Sequence, residues 1–154
     1  MYRMDFAGAL KLMEKINQRA GNFALPPWIA NPISALNVFF WLGSGNVNAA
    51  LQWAQERGLH IDDKLDGLHE VEYLALSHIL IAQNKLEEAD HLLQRLIENA
   101  KADDRVYMMI EMRLLRILIF TLKADTAAAL AELKLALALA DLQNSFVGKK
   151  RQLY

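Results

Sequence analysis

A pair of residue types that returns every 40 residues constrains this sequence more than any other feature. A small alanine is followed four residues later by a large apolar side chain, and the pair occurs four times: Ala9 and Met13, Ala49 and Trp53, Ala89 and Leu93, Ala129 and Leu133. A fixed period between 20 and 50 residues is typical of a solenoid, in which similar units stack and bury a shared core. The pattern therefore predicts stacked helical units with an alanine wherever two backbones approach closely.

Apolar residues recur with the 3.6-residue period of an α-helix through most of the chain. The clearest helix is predicted over residues 86–100, with Asn84 as its N-cap, and the short turn before it makes neighbouring helices antiparallel. Upstream, Pro32 is predicted just inside a helix start that Asn31 caps, and Asp125 is predicted to cap the last helix. These patterns predict an all-α fold, a right-handed α-solenoid of antiparallel helix hairpins with about seven helices.

The predicted units fill one helical-repeat domain. They are a half repeat over 2–20, repeats over 32–58, 67–102 and 105–142, and a tail over 143–154. Residues 21–31 and 58–67 are expected to form loops. The half repeat matches the second helix of each pair, so its first helix is missing. Because the ends of a free solenoid normally carry polar caps, we expect the chain to be a piece of a longer protein; a divergent capping helix is the alternative.

Bulk composition excludes several classes of protein. Hydrophobic residues make up 54% and charged residues 23%, which argues against disorder. The net charge of −1 argues against direct nucleic-acid binding, and the absence of cysteine excludes disulfides and suits the cytoplasm. The longest apolar run, 106–122, contains Glu111, Arg113 and Arg116, so no membrane span is expected.

No catalytic residue, cofactor site or metal ligand is predicted. His69 and Glu70 begin like a zinc-binding helix, but Tyr73 stands where the second histidine would be needed. Asp62, Asp63 and Asp66 lack the glycine and the distal glutamate of a calcium loop. We therefore expect a protein that is not an enzyme.

Two resemblances to repeat families follow from particular runs. The turn from Ala82 to Ala89 resembles that of a tetratricopeptide repeat, although the period here exceeds the usual 34 residues. A closer resemblance is to the helical-repeat sensor region of the MalT-like, large ATP-binding regulators of the LuxR class. It covers about 39–140 and is carried by these runs: 41–45 (Trp-Leu-Gly-Ser-Gly), 49–54, 58–59, 74–89 and 133–140. Residues 142–147 depart from the Pro-Glu-Gly-Tyr-like segment of that family.

The resemblance implies a tetratricopeptide-like fold and a role in signal reception. It implies an ATPase module before this region and a DNA-binding helix-turn-helix after it, with this region receiving an inducer or a partner protein. The partners so implied are a protein or peptide, other domains of the same regulator, or a small-molecule inducer; a homo-oligomer is a further option. Two alternatives remain open, a stand-alone adaptor protein and a module that binds an oligosaccharide-type ligand stacked on Trp41.

First helices of such repeats line a concave face, which would hold the candidate groove. The alanine register assigns to it Val38, Trp41, Leu74, His78, Ile81, Glu111, Leu118 and Thr121. Such a mainly apolar set suits a peptide or sugar groove. The alternative interpretation makes Leu74, Ile81 and Leu118 core residues, whereas Trp41 and His78 are expected to be exposed. The methionines at 108, 109 and 112 are expected to fill the core rather than form an adaptable partner surface.

Overall fold

The computed structural model describes residues 5–151 and contains seven α-helices and no strand within that range. The helices are α1 (Phe6–Gly21), α2 (Pro27–Gly43), α3 (Val47–Glu56), α4 (Glu70–Ala82), α5 (Leu86–Ala102), α6 (Val106–Leu122) and α7 (Thr126–Arg151). The predicted all-α fold with about seven helices is confirmed. The ends of the predicted half repeat (2–4) and tail (152–154) lie outside the described residues.

The described helices group into two compact units that divide between Glu88 and Ala89. In the first unit α2 packs against α1, α3 and α4, and α3 also packs against α4. In the second unit α6 and α7 pack extensively against each other. The prediction that all helices form one continuous repeat domain stays a prediction.

Three short turns, after α2, α4 and α6, share one hydrogen-bonding pattern. Each contains a residue with a left-handed backbone: Gly45 (φ 80°), Asn84 (φ 60°) and Ala124 (φ 57°). The next N–H then donates to a carbonyl oxygen five residues back: Asn46 to Trp41 (2.8 Å), Lys85 to Leu80 (2.9 Å) and Asp125 to Phe120 (2.8 Å). This is the Schellman ending of a helix, which satisfies carbonyls that would otherwise lack partners. The three hairpins are therefore equivalent in their turns.

These turns correct the predicted register of the repeat. Left-handed Gly45 corresponds to Asn84, so the first interval spans 84 − 45 = 39 residues rather than 40. The structural counterpart of Ala89 is consequently Ala50, and both are fully buried, whereas Ala49 is only half-buried. The predicted register was wrong by one residue because the turn, and not the alanine, fixes where the second helix begins.

The large partner of each alanine is buried in three of the four repeats. Met13, Trp53 and Leu93 belong to the core, but Leu133 is 38% exposed. On α7 the buried face instead presents Glu132 and Ala136. The pairing of an alanine with a buried large residue is therefore not kept on α7.

Two predicted helix starts differ from the structure. Asn84 is not an N-cap, because its left-handed backbone belongs to the end of α4. Helix α2 begins at Pro27, and Pro32 lies inside it. Proline is favoured in the first turn because its ring fixes φ at a helical value, and the Pro26 carbonyl oxygen accepts from the N–H groups of Ile29 and Ala30 at 2.9 and 3.0 Å. The predicted loop over 21–31 thus shrinks to residues 22–26.

Helix α7 has the predicted cap but not the predicted end. Asp125 caps α7 as predicted, since its Oδ1 accepts from the N–H of Ala128 at 3.0 Å. The tail prediction was wrong for residues 143–151, because α7 continues to Arg151. Proline, the residue that would have stopped it, is absent from this stretch. Among the described helices, none combines the length and apolar character that crossing a membrane requires.

Replacing Ala89 with leucine tests whether the repeat places a close backbone approach there. The side chain of Ala89 is fully buried, so Ala89→Leu is expected to overpack the core and lower the free energy of unfolding by about 1–3 kcal/mol. Urea denaturation measures the change. Ala102→Leu, on the exposed end of the same helix, is the control and should be nearly neutral; equal effects of the two substitutions would contradict the assignment.

Candidate functional site

The first unit contains a cavity of about 460 Å³ between α3, α4 and the loop that joins them. Its apolar floor is formed by Leu51, Ala54, Leu76, Ile79 and Leu80. Its rim includes Gln55, His60, Asp62, Gln83, Lys85 and Glu88. We call this site the α3–α4 cavity.

The loop over 57–69 forms one wall of the cavity and is held in place by hydrogen bonds. Gly58 adopts a left-handed backbone (φ 62°), and the next N–H, of Leu59, donates to the Ala54 carbonyl oxygen at 3.2 Å. The Asp63 Oδ2 accepts from the His60 N–H at 2.8 Å and from the Tyr73 hydroxyl at 2.9 Å. Burial, followed by the bond to Asp63, raises the pKa of Tyr73 to about 12. The wall is therefore attached to α4 through a phenol that stays protonated.

An ion pair next to this loop connects the helices around it. Glu72 is almost fully buried, and its Oε1 lies 2.7 Å from Nη1 of Arg57. The guanidinium of Arg57 also lies over the ring of Trp53, 5.8 Å from its centroid. The Trp53 indole N–H in turn donates to the Ser34 hydroxyl at 2.7 Å. These contacts connect α2, the end of α3 and α4.

The cavity has the dimensions and chemistry of a binding site. Ligand sites in proteins span about 300–1,000 Å³ and combine an apolar lining with a few polar groups. Here an aliphatic floor is surrounded by a rim that carries Lys85 as well as Asp62 and Glu88. Such a site can accept an apolar side chain whose flanking backbone reaches polar partners at the rim.

The predicted groove residues of the first unit lie elsewhere. Val38 is fully buried, which corrects its assignment to a surface, and Leu74 is nearly so, which agrees with the alternative interpretation that it is a core residue. Trp41, His78 and Ile81 are half-buried. None of the five lines the α3–α4 cavity. Because α4 is apolar on nearly every side, its sequence does not reveal which side faces a neighbouring helix.

The half-buried His78 belongs to the packing between α2 and α4. Its ring meets Phe39 edge-on, with centroids 4.8 Å apart. Burial lowers the pKa of His78 below its ordinary value because the protonated ring loses solvation. The histidine is thus held neutral at physiological pH.

In the second unit the remaining three candidates lie on the exposed side of α6. Glu111 and Thr121 are exposed, and Leu118 is 44% exposed rather than a core residue. The core of α6 consists of Met109, Met112, Leu115 and Ile119, so the methionines at 109 and 112 fill the core as expected. A binding role for the exposed three stays a prediction.

A cluster of four charged side chains lies in the second unit and was missed by the sequence analysis. Arg116 donates to Oδ1 of Asp90 at 2.6 Å and also to Oε1 of Glu132. Arg113 donates to the other oxygen, Oε2, of Glu132 at 2.8 Å. Each arginine and glutamate side chain is 15% exposed or less. The sequence signal was the lone glutamate of an otherwise alanine- and leucine-rich helix, which has to find partners once buried.

In the part of the chain that the structure describes, no group of three or more histidine, cysteine, aspartate or glutamate side chains could hold a metal ion.

Comparison with known families matches the chain to the MalT-like TPR region over residues 3–146. The chain belongs to this family of helical-repeat regions. No curated protein and no solved structure matches it. The resemblance expected over 39–140 is confirmed, and the match extends further in both directions.

Removing the carboxylate of Glu132 should leave two arginines without their shared partner. We expect Glu132→Ala to lower the free energy of unfolding by roughly 3 kcal/mol, the lower end for breaking a buried ion pair. Urea denaturation followed by circular dichroism measures it. Glu98→Ala, at an exposed position of α5, should change stability little. A loss no greater than that of this control would mean that the cluster does not hold the unit together.

The lowered pKa of His78 predicts a stability that depends on pH. The unfolded chain takes up the proton more readily than the folded one, so the contribution of neutral His78 is present above about pH 6.5 and is lost as pH falls through the lower folded-state pKa. His78→Gln should therefore flatten the decline in unfolding free energy between neutral and mildly acidic pH. Identical slopes for the wild type and the His78→Gln variant would refute the assignment.

Proposed function

We propose that this chain is the signal-receiving, partner-binding repeat region of a MalT-like transcriptional regulator. The match to the MalT-like TPR region over residues 3–146 is the observation that carries the proposal. In this role the region recognises a partner and catalyses no reaction itself. It acts in the cytoplasm, where it passes the binding event to the nucleotide-hydrolysing and DNA-binding modules expected of such a regulator.

We infer that the α3–α4 cavity is where the partner binds. Its aliphatic floor suits a leucine-like side chain, and its rim offers donors and acceptors to an adjacent peptide backbone. The loop wall is fixed by Asp63 and Tyr73 before any partner arrives. A preformed site loses less conformational entropy on binding, which favours recognition of short peptides.

The site lies between the second helix of one predicted repeat and the first helix of the next, so occupation of the cavity can change the packing of α3 against α4. Allosteric coupling requires that a ligand bind two arrangements of the protein with different affinity. Arg57 and Glu72 connect these helices near the loop. We propose that this packing is the element on which the partner acts.

A peptide-display selection on the purified chain tests the proposal. Selected peptides should share an aliphatic anchor residue and bind with micromolar affinity. Gln55→Trp places a bulky ring at the rim and should weaken their binding more than tenfold, or by about 1.4 kcal/mol. Gln52→Trp changes the same residue type on the same helix outside the cavity lining and should leave binding unchanged.

Two outcomes would refute this assignment. One is that selection enriches no peptide beyond those that bind an unrelated helical protein. The other is that the two tryptophan variants weaken binding equally. Hydrolysis of ATP by the pure chain would overturn the recognition role as a whole.

A further inference from the structure

A second cavity of the first unit, of about 300 Å³, lies between α1, α2 and the short loop that joins them. Helix α2 contributes residues spaced by three and four positions, which share one side of a helix: Ala30, Ile33, Ser34 and Asn37. Asn17 and Gly21 line the cavity from α1, and Phe23 and Leu25 line it from the loop. We call this site the α1–α2 cavity. It shares no lining residue with the α3–α4 cavity.

Helix α2 is strongly apolar, yet two of its few polar side chains line this cavity. Its sequence contains no charged residue, and apart from the tryptophans its hydrogen-bonding side chains are Asn31, Ser34 and Asn37. Asn31 is within reach of the Arg57 guanidinium, at 3.5 Å. Ser34 and Asn37 line the cavity instead. Because a polar group in an apolar environment needs hydrogen-bond partners, these two residues require an explanation.

The amide of Asn37 has unused hydrogen-bonding capacity. Its side chain is nearly buried, and the residue is 8% exposed. Nδ2 donates to the Ser34 carbonyl oxygen, and Oδ1 accepts from Nδ2 of Asn17, both at the long distance of 3.3 Å. A primary amide has two hydrogens and two lone pairs to offer. Among the described residues, one hydrogen and one lone pair of Asn37 therefore have no partner.

We propose that the α1–α2 cavity binds a neutral, planar ring with an amide edge, such as a pyridine carboxamide or a nucleobase. Such an edge places a donor beside an acceptor and can form two hydrogen bonds with Asn37, as adenine does with asparagine in DNA recognition. Phe23 is 71% exposed, and its ring can cover one face of the ligand. None of the described residues that line the cavity is charged, so an ion would lose hydration without compensation.

Hydrogen-bonding capacity distinguishes this ligand from a sugar of similar size. A sugar carries several hydroxyl groups, each a donor and an acceptor, whereas the polar lining consists of the Asn17, Ser34 and Asn37 side chains. Ser34 already accepts from the indole N–H of Trp53 at 2.7 Å. A buried hydroxyl without a partner costs free energy. An amide ring buries a single donor–acceptor edge, so it suits the cavity better.

The volume of the cavity sets the size of the ligand and its affinity. Since a water molecule occupies about 30 Å³, about 300 Å³ holds roughly ten non-hydrogen atoms. A ligand that small binds weakly when only a few contacts fix it, and we expect a dissociation constant around 1 mM. The proposal does not depend on the peptide-binding role of the α3–α4 cavity, because the two sites are formed by different residues.

An NMR titration of the ¹⁵N-labelled chain tests the proposal, since Trp53 reports on the cavity through its bond to Ser34. The chain has three tryptophans, so Trp28→Phe and Trp41→Phe identify the indole signal of Trp53. Nicotinamide, uracil or both should shift this signal in a saturable manner, and the stronger of the two shows whether a carboxamide or a base is preferred. Nicotinate, which has the same shape but a negative charge, and glucose should not shift it.

Three results of the titration would overturn the proposal. One is the absence of a saturable shift with either amide. Another is a shift with nicotinate as large as that with nicotinamide, which would show that neutrality and the amide donor are irrelevant. The third is a saturable shift with glucose alone, which would assign the cavity to polyols.

Two substitutions in the cavity locate the binding. Asn37→Leu keeps the size of the side chain but removes the donor and the acceptor, and it should raise the dissociation constant at least tenfold. Gly21→Leu should have a similar effect by filling the cavity, because a Cβ at Gly21 meets no atom within 4 Å. Gly148→Leu is the control, since Gly148 is equally open but lies on α7, and it should leave binding unchanged.

The two cavity variants act in different ways, so either one suffices if the other does not fold, which circular dichroism shows. Wild-type affinity in a folded cavity variant would overturn the proposal. So would an equal loss of affinity in the Gly148→Leu protein.

Discussion

The short turn between two helices is the constraint from which the rest of each unit follows. A helix ends with carbonyl groups that have no partner, and a buried end must satisfy them. After α2, α4 and α6 a left-handed residue turns the chain so that the next N–H groups bond back to those carbonyls. Two of these residues, Asn84 and Ala124, have a Cβ, so they adopt a conformation that costs about 1–2 kcal/mol. Around Ala124, packing of α6 against α7 compensates for that cost and fixes which side of each helix is buried.

Polar contacts inside the two units then select one packing among several apolar ones. In the first unit, Arg57 and Glu72 meet beside Trp53, which is itself bonded to Ser34. In the second, Arg113 and Arg116 share Glu132. Ion pairs of this kind add little net stability, because desolvation offsets their attraction. Their loss is costly, however, so a helix shifted by one residue would leave buried charges unpaired. We infer that they fix the register of the hairpins.

The α3–α4 cavity is the partner-recognition surface proposed here. It is concave and aliphatic, with polar groups at its rim, and it suits a single anchor side chain. Recognition of a partner at such a site is compatible with reception of a signal by a helical-repeat region of the MalT-like type.

Local features determined much of the fold in advance. The helical period, the turn residues and the capping Asp125 predict the seven helices, because each of these signals depends only on residues close in sequence. The bounds of α6 agree with the prediction. Tertiary structure decided four further features: the start of α2, the buried position of Ala50, the α3–α4 cavity and the partners of Glu132. Helices α4 and α6 are apolar around most of their circumference, so their sequences specify burial but not its direction. That direction is set by the neighbouring helix, and no pattern within a single helix contains it.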